Sequence, residues 1–316
     1  MGFLNRRSFV QLTSATWIAN SLRSAGDQPE QDVSVRSVHA LRLGAVAWVG
    51  AGQSADSAIK RVHDLGLPTC QIGFEHLSLN DVGPLKQAAN EYGIEVTAVS
   101  EHGPGRLVYD FYEGPATIGI VPPYNPNHHA RIEALKLAAD VASLCDVPSV
   151  HTHLGFIPED PNDPIYPHAL TAVKDVATHC RERGRLLLCE TGQETPIALL
   201  RMIQDVGLDN VFVNLDLANL ILYGKGNPVD AMDVIGHLVR GIHAKDGLFP
   251  TDPRHLGKEV SIGTGRVDFP GVFKELKRVN YSGPITIERE ISGEQQTKDI
   301  LQSKIFLQNL IDRTYN

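Results

Sequence analysis

From Leu41 onward, short apolar runs and amphipathic runs alternate along the chain. The apolar runs are "LRLGAVAWV", "TCQIGFEH", "VTAVSEHG", "SVHTHLGF", "RLLLCETG", "VFVNLDLANL", "RGIHAKDG" and "PITIERE". They are short enough for strands and apolar enough to be covered on both faces, as in a parallel sheet. Helical stretches separate them, from "SADSAIKRVHDLG" through "HHARIEALKLAADVASLC" to "FPGVFKELKRVN", and "TKDILQSKIFLQNLIDRT" closes the chain. Gly66, Gly93, Gly184 and Gly207 stand just past helix ends, where a left-handed cap belongs. Pro196 and Pro228 stand near helix starts. Eight strand–helix units in strict alternation predict an α/β fold, a single (β/α)8 TIM barrel. Such a barrel takes about 250 residues, and the chain has 316. An open doubly wound sheet would place a Gly-rich phosphate loop after its first strand, but "VGAGQSAD" does not match GxGxxG.

The residues outside this alternation lie at the N-terminus. "NRRSFVQLTSATWIAN" resembles a twin-arginine export signal, with Arg6 and Arg7 followed by Ser8 and Phe9. The polar stretch "SAGDQPEQDVSVRS" then reads as a linker. This divides the chain into a signal and linker at 1–38 and a barrel domain at 39–316. It predicts an exported, periplasmic protein; a basic tail on a cytoplasmic protein is the alternative. A net charge of −8 argues against a nucleic-acid partner, which would want a basic face. No apolar run reaches the roughly 18–20 residues that span a bilayer. Cys70, Cys145, Cys180 and Cys189 are scattered without a CxxC pair, so they read as small hydrophobes rather than as a disulfide or zinc set.

Four ionisable residues stand near the ends of consecutive strands: Glu190 in "LLLCET", Asp216 in "VNLDLANL", His243 in "GIHAKD" and Glu288 in "ITIERE". The first two intervals are each about one strand–helix unit, and the third contains a long loop. With a side-chain period of two, all four can point inward at similar depth, together with Leu188, Asn214, Gly241 and Thr286 two residues earlier. Three carboxylates so placed would repel one another without a cation. Three carboxylates and one imidazole suit one divalent ion, Mn²⁺, Mg²⁺ or Co²⁺, with Zn²⁺ as a further candidate.

These segments, with "CETGQET", "NLDLANLILYG", "HAKDG" and "GTGRVDFPGVFKELKRVNYSGPITIE", resemble the sugar isomerase/epimerase superfamily of xylose isomerase-like TIM barrels. Ketose 3-epimerases, hydroxypyruvate isomerases and inosose dehydratases belong there, and the resemblance covers roughly residues 40–310. It implies that Glu190, Asp216, His243 and Glu288 match the family's metal ligands, and that Glu190 and Glu288 match the acid–base pair of its epimerases. It also implies a small-molecule sugar substrate. Two positions depart from the ketose 3-epimerase pattern. Asn219 stands where those enzymes carry a histidine, and Phe249 where they carry an arginine.

Further residues fall near the predicted mouth. His151 and His153 share a strand face, and His153 lies nearer its end, as a substrate contact. Glu75, His76, Glu101 and His102 end the second and third strands, with His102 a candidate substrate contact. Lys245 points inward if His243 does, and is expected either to steady an oxyanion or to pair with Glu190 or Glu288. Gln193 and Glu194 follow Glu190 and are expected to reach a sugar hydroxyl; Asn219 joins them as a substrate contact. The implied chemistry is proton transfer beside a carbonyl through an enediolate, giving epimerisation or isomerisation. A lyase, dehydratase or hydratase acting on a keto-sugar would use the same site. A non-catalytic sugar-binding protein is the reading from another class. The sequence is compatible with a homo-oligomer.

Overall fold

The computed structural model describes residues 41–110, 118–121 and 123–315; the predicted signal and linker at 1–38 lies outside them. The described chain runs β1 (Arg42–Val49), α1 (Ala55–Asp64), β2 (Thr69–Phe74), α2 (Val82–Tyr92), β3 (Glu95–Ser100), α3 (His128–Leu144) and β4 (Ser149–Thr152). Then follow α4 (Tyr166–Glu182), β5 (Leu186–Glu190), α5 (Pro196–Val206), β6 (Val211–Asp216), the short α6 (Asn219–Leu222), α7 (Pro228–Ile235) and β7 (Val239–Ala244). The last elements are β8 (Asp246–Gly247), β9 (Glu259–Val260), α8 (Phe269–Arg278), β10 (Pro284–Ile287) and α9 (Glu294–Tyr315). Eight strands close in the order β1, β10, β7, β6, β5, β4, β3, β2, while β8 and β9 form a separate two-stranded ladder. Every pairing in the barrel is parallel. The predicted (β/α)8 barrel is therefore present.

Alternation along the strands explains why it closes. Cys70, Ile72, Val213, Leu215, Ile242 and Ile285 are buried in one apolar cluster shared with the helices. Each such buried aliphatic side chain contributes roughly 1.5–3 kcal/mol. The intervening residues point into the barrel. There the interior is not purely apolar: it holds buried polar groups, Gln71, Asn214 and His243 among them. Several helices start on side-chain caps. Ser54 and Thr195 accept backbone N–H groups at the starts of α1 and α5, and Gly93 and Gly207 end α2 and α5 at φ of 63° and 66°.

One element is shorter than expected. The apolar run 211–220 predicts a strand throughout, but β6 stops at Asp216. The Asp216 Oδ1 accepts the N–H groups of Ala218 (2.8 Å) and Asn219 (2.7 Å), which turns the chain into α6. The strand thus ends on the residue that carries the carboxylate.

Both long connections lie at the strand C-termini and are pinned there. Arg131 of α3 is buried and donates to the carbonyl oxygens of Pro104, Arg106 and Gly119, holding the β3–α3 connection. Asp246 accepts the N–H groups of Gly247, Gly263, Gly265 and Val267, so one carboxylate ties both ends of the β7–α8 connection together. A Cβ at Gly265 would lie 2.1 Å from Asp246 Oδ1, so this clamp requires a glycine there. Tyr109 and Leu256, one from each connection, pack with Phe156, Leu222 and Tyr223 in a small apolar cluster apart from the main core. Among the described residues, no helix is long and apolar enough to cross a membrane. Cys70, Cys180 and Cys189 are buried and Cys145 half-buried.

Candidate metal centre

The ends of β5, β6 and β7 and the residue after β10 bring Glu190, Asp216, His243 and Glu288 together. His243 Nδ1 lies 3.3 Å from Glu190 Oε1, 3.3 Å from Glu288 Oε2 and 3.9 Å from Asp216 Oδ2. Register accounts for the convergence: Asp216 and Thr286 both lie level with His243, and Glu190 lies level with Asn214. One ligand atom from each of the four falls within 4.8 Å of the others. His151, Glu190 and His243 form a second group of this kind, which shares two members with the first.

Asp216 supplies the telling atom. Its Oδ1 is occupied by the turn into α6, but its Oδ2 is buried and has no hydrogen-bond partner among the described residues. Leaving a buried carboxylate oxygen unpaired is costly. The oxygen instead faces His243 and, at 3.9 Å, the Lys245 ammonium. Three carboxylates, one imidazole nitrogen and an orphaned oxygen fit a hard or borderline divalent cation.

The charges respond to this crowding. Burial disfavours ionised Glu190, but His153, His243 and His151 outweigh it and hold the carboxyl well below its ordinary range. Burial also opposes ionisation of Glu288, and Lys245 and His243 again prevail and lower it. Asp216 goes the other way: burial, joined by Glu288 and Glu190, pushes it well above its ordinary value. Burial would lower His243 and Lys245, yet the surrounding carboxylates raise both.

Beneath His243 lies a support that the sequence reading missed. Gln71 of β2 donates through Nε2 to Asn214 Oδ1 at 2.9 Å, which turns its Oε1 toward His243 Nε2 at 2.8 Å. The amide oxygen can only accept, so Nε2 carries the proton and Nδ1 faces the carboxylates. Gly241 makes room for this network, since a Cβ there would lie 2.3 Å from Asn214 Oδ1. The available signal was a lone glutamine in "TCQIGFEH", a run buried on both faces. Gln71→Leu is expected to weaken divalent-metal binding about 10–100-fold, as loss of a partner behind a ligand histidine typically does. Competition against a metal-binding dye reads this directly, and unchanged affinity would show that His243 needs no such support.

Glu190 is held on both oxygens. Asn219 Nδ2 donates to Oε1 at 3.0 Å, while His151 and His153 reach Oε2 through their Nε2 atoms, His153 at 3.2 Å. Ser100 Oγ meets His151 Nδ1 at 2.8 Å. Asn219 and His153, both expected at the substrate, thus bear on Glu190. His153 also keeps a buried Nδ1 without a partner among the described residues. His102 is pushed down to about 3, chiefly by burial and secondly by His153 and His151, so it is neutral at pH 7.

Lys245 does point inward. Its Nζ lies 3.1 Å from Glu288 Oε2 and 2.9 Å from Glu290 Oε1. Glu290, two residues past Glu288, was not singled out in the sequence. Gln193 and Glu194 are buried, and neither side chain has a hydrogen-bond partner among the described residues. Burial pushes the Glu194 carboxyl up to about 8. Glu75, His76, Glu101 and His102 line one cavity together, and Phe249 is exposed.

A family model described as xylose isomerase-like TIM barrel matches residues 59–310. The chain belongs to that family. Among solved structures, this xylose isomerase-like chain is similar to a xylose isomerase domain protein from Planctomyces limnophilus, at 31% identity and TM-score 0.79, covering 87% of this chain and 99% of that one. A D-tagatose 3-epimerase-like protein matches at 19% identity and TM-score 0.68, over 87% and 98% of the two chains. A xylose isomerase-like TIM barrel protein from Mycobacterium smegmatis, in complex with magnesium, matches at 15% identity and TM-score 0.65, over 89% and 99%. At those identities the last two show the shared fold.

Proposed function

We propose that this protein is a divalent-metal-dependent sugar isomerase or epimerase that works through an enediolate beside a carbonyl. The observation that carries the reading is the convergence of Glu190, Asp216, Glu288 and His243 around the orphaned Asp216 Oδ2, in a chain of the xylose isomerase-like family. A D-tagatose 3-epimerase-like protein and a magnesium complex among the similar structures support it. Glu190, Asp216, Glu288 and His243 would hold the ion, which when bound would polarise a sugar carbonyl and acidify the neighbouring C–H bond.

The side chains divide the remaining work. The Glu288 side chain is 16% exposed and the Glu190 side chain 2%, so Glu288 is the one that a sugar entering from the mouth meets first. Held ionised by Lys245 and His243, it accepts the proton from carbon. Lys245, beside Glu288, steadies charge developing on oxygen. Glu190, fixed by Asn219, His151 and His153, is itself ionised; a proton relayed to it through His151 or His153, which reach its Oε2, would be returned to carbon from its own side of the ring. Return to the same carbon from the other face is epimerisation, and return to the neighbouring carbon is isomerisation. Departure of a β-hydroxyl from the same intermediate would be elimination.

Proton NMR in D₂O with metal-loaded protein and a panel of ketoses, aldoses and 3-keto-sugars tests this. Deuterium should enter at the carbon beside the carbonyl of at least one sugar, and a chelator should abolish the exchange. Loaded protein that exchanges no C–H across the panel would sink the proposal, and the product formed would decide among the three outcomes.

A further inference from the structure

Trp48 stands one residue before the end of β1, on the side of the strand that faces the barrel mouth. It lies in register with Gly73 of β2, and a Cβ on Gly73 would sit 2.7 Å from the indole ring. The ring therefore covers bare backbone, yet it is still 44% exposed. Tryptophan usually buries most of its surface, so this half-bare indole on a strand offers a flat apolar face. Beside it opens a cavity of about 710 Å³, lined by Trp48, Glu75, His76, Glu101, His102 and Leu107 with their neighbours. That volume suits a drug-sized ligand and exceeds the needs of one hexose ring.

His102 joins this cavity to the metal centre. Its ring lies 5.6 Å from that of His153, whose Nε2 is 3.2 Å from Glu190. The cavity also offers polar groups. Glu101 accepts the N–H groups of His102 (3.0 Å) and Gly103 (2.6 Å) through Oε1, which leaves Oε2 to accept from a ligand. Behind the cavity surface, His102 Nδ1 is buried with no hydrogen-bond partner among the described residues. A flat aromatic face bordered by carboxylates matches a pyranose, whose C–H face is apolar and whose rim donates hydroxyl hydrogen bonds.

We infer that this cavity is a subsite for a second sugar ring. The substrate is then a glycoside, with its reacting ring at Glu190, Asp216, His243 and Glu288 and its other ring stacked on Trp48. The inference rests on the sugar-acting reading above. It adds that a monosaccharide leaves half of the site empty.

The chain has two tryptophans, Trp17 and Trp48, so Trp17→Phe leaves Trp48 as the sole indole. In the full chain carrying Trp17→Phe and Glu288→Gln, loaded with Mg²⁺, cellobiose and maltose should quench Trp48 fluorescence. Their dissociation constants should be about 10-fold or more below that of glucose. In calorimetry, Trp48→Leu should erase this preference. Glu101→Gln keeps an oxygen for both backbone N–H groups and should reduce the preference about 3-fold or more. Equal affinity for glucose and the disaccharides, or a preference that survives both substitutions, would overturn the subsite. Because Glu288→Gln suppresses turnover, the preference is read apart from the reaction. A disaccharide preference without C–H exchange in the unmutated protein keeps the subsite and rejects the isomerase reading. Exchange on monosaccharides with no such preference does the reverse.

Discussion

Glu288→Gln is expected to fold, to bind its metal less tightly, and to turn over about 10²–10⁴ times more slowly, the usual loss when an acid–base group is removed. Glutamine keeps the shape and one coordinating oxygen, but it cannot take a proton from carbon. The fold should survive because Lys245 keeps Glu290 at 2.9 Å when the Glu288 charge is gone. Asp216→Ala should damage metal binding more. It removes the orphaned Oδ2 and also the Oδ1 that accepts two N–H groups at the start of α6. Metal content and turnover measured together separate the roles. If Glu288 were only a ligand, saturating Mn²⁺ would restore full activity, and that recovery would refute the acid–base role while leaving the metal site standing. Occupied but inactive protein supports it. Exchange of the substrate C–H without product would make Glu190 the first base and Glu288 the group that returns the proton.

The barrel was legible because its signal is periodic. Eight apolar runs with intervening amphipathic runs survive errors in any one boundary, and the positions of β5, β6 and β7 follow from them even though β6 stops before its apolar run does. The four-residue constellation was legible for the same reason, since strand ends one unit apart must meet at the mouth of a closed barrel. What surrounds the constellation was not. Gln71 lies 172 residues from His243 along the chain, and nothing local to either residue announces their contact. Asn219 follows Asp216 closely, but that its amide turns to Glu190 depends on where β6 stops, and the apolar run continued past that point. Asp246 directly follows Lys245 in "HAKDG". Its role as the clamp on Gly263, Gly265 and Val267 needs the loop to return, which no periodicity encodes. Trp48 looked like one more apolar strand residue, and only its register with Gly73 places its ring bare at the mouth.

Glu194 is expected to make the protein less stable as pH rises from about 4.5 to about 8. Its carboxyl is fully buried, both oxygens lack partners among the described residues, and burial raises its titration from 4.5 to about 8. Below about 4.5 it is protonated in the folded and the unfolded chain alike, so it contributes no pH dependence. Between the two values the unfolded chain releases the proton and the folded chain retains it. Stability then falls by about 1.4 kcal/mol per pH unit until the folded group also ionises. The interval from 4.5 to about 8 sets an upper limit of about 5 kcal/mol. Glu194→Gln is neutral at every pH and nearly the same shape. Urea unfolding of both proteins at pH 5, 6, 7 and 8 should show the variant gaining on the parent at each step, by several kcal/mol at pH 8. Every other titrating group is common to both proteins and cancels in the difference. Parallel stability profiles would show that Glu194 is ionised in the folded state and has a partner there. The same variant tests the expected sugar contact, because a carboxylate that accepts a substrate hydroxyl would raise KM when replaced. A variant that shifts the stability profile at unchanged KM would place Glu194 in the support of the β5–α5 loop rather than against the sugar.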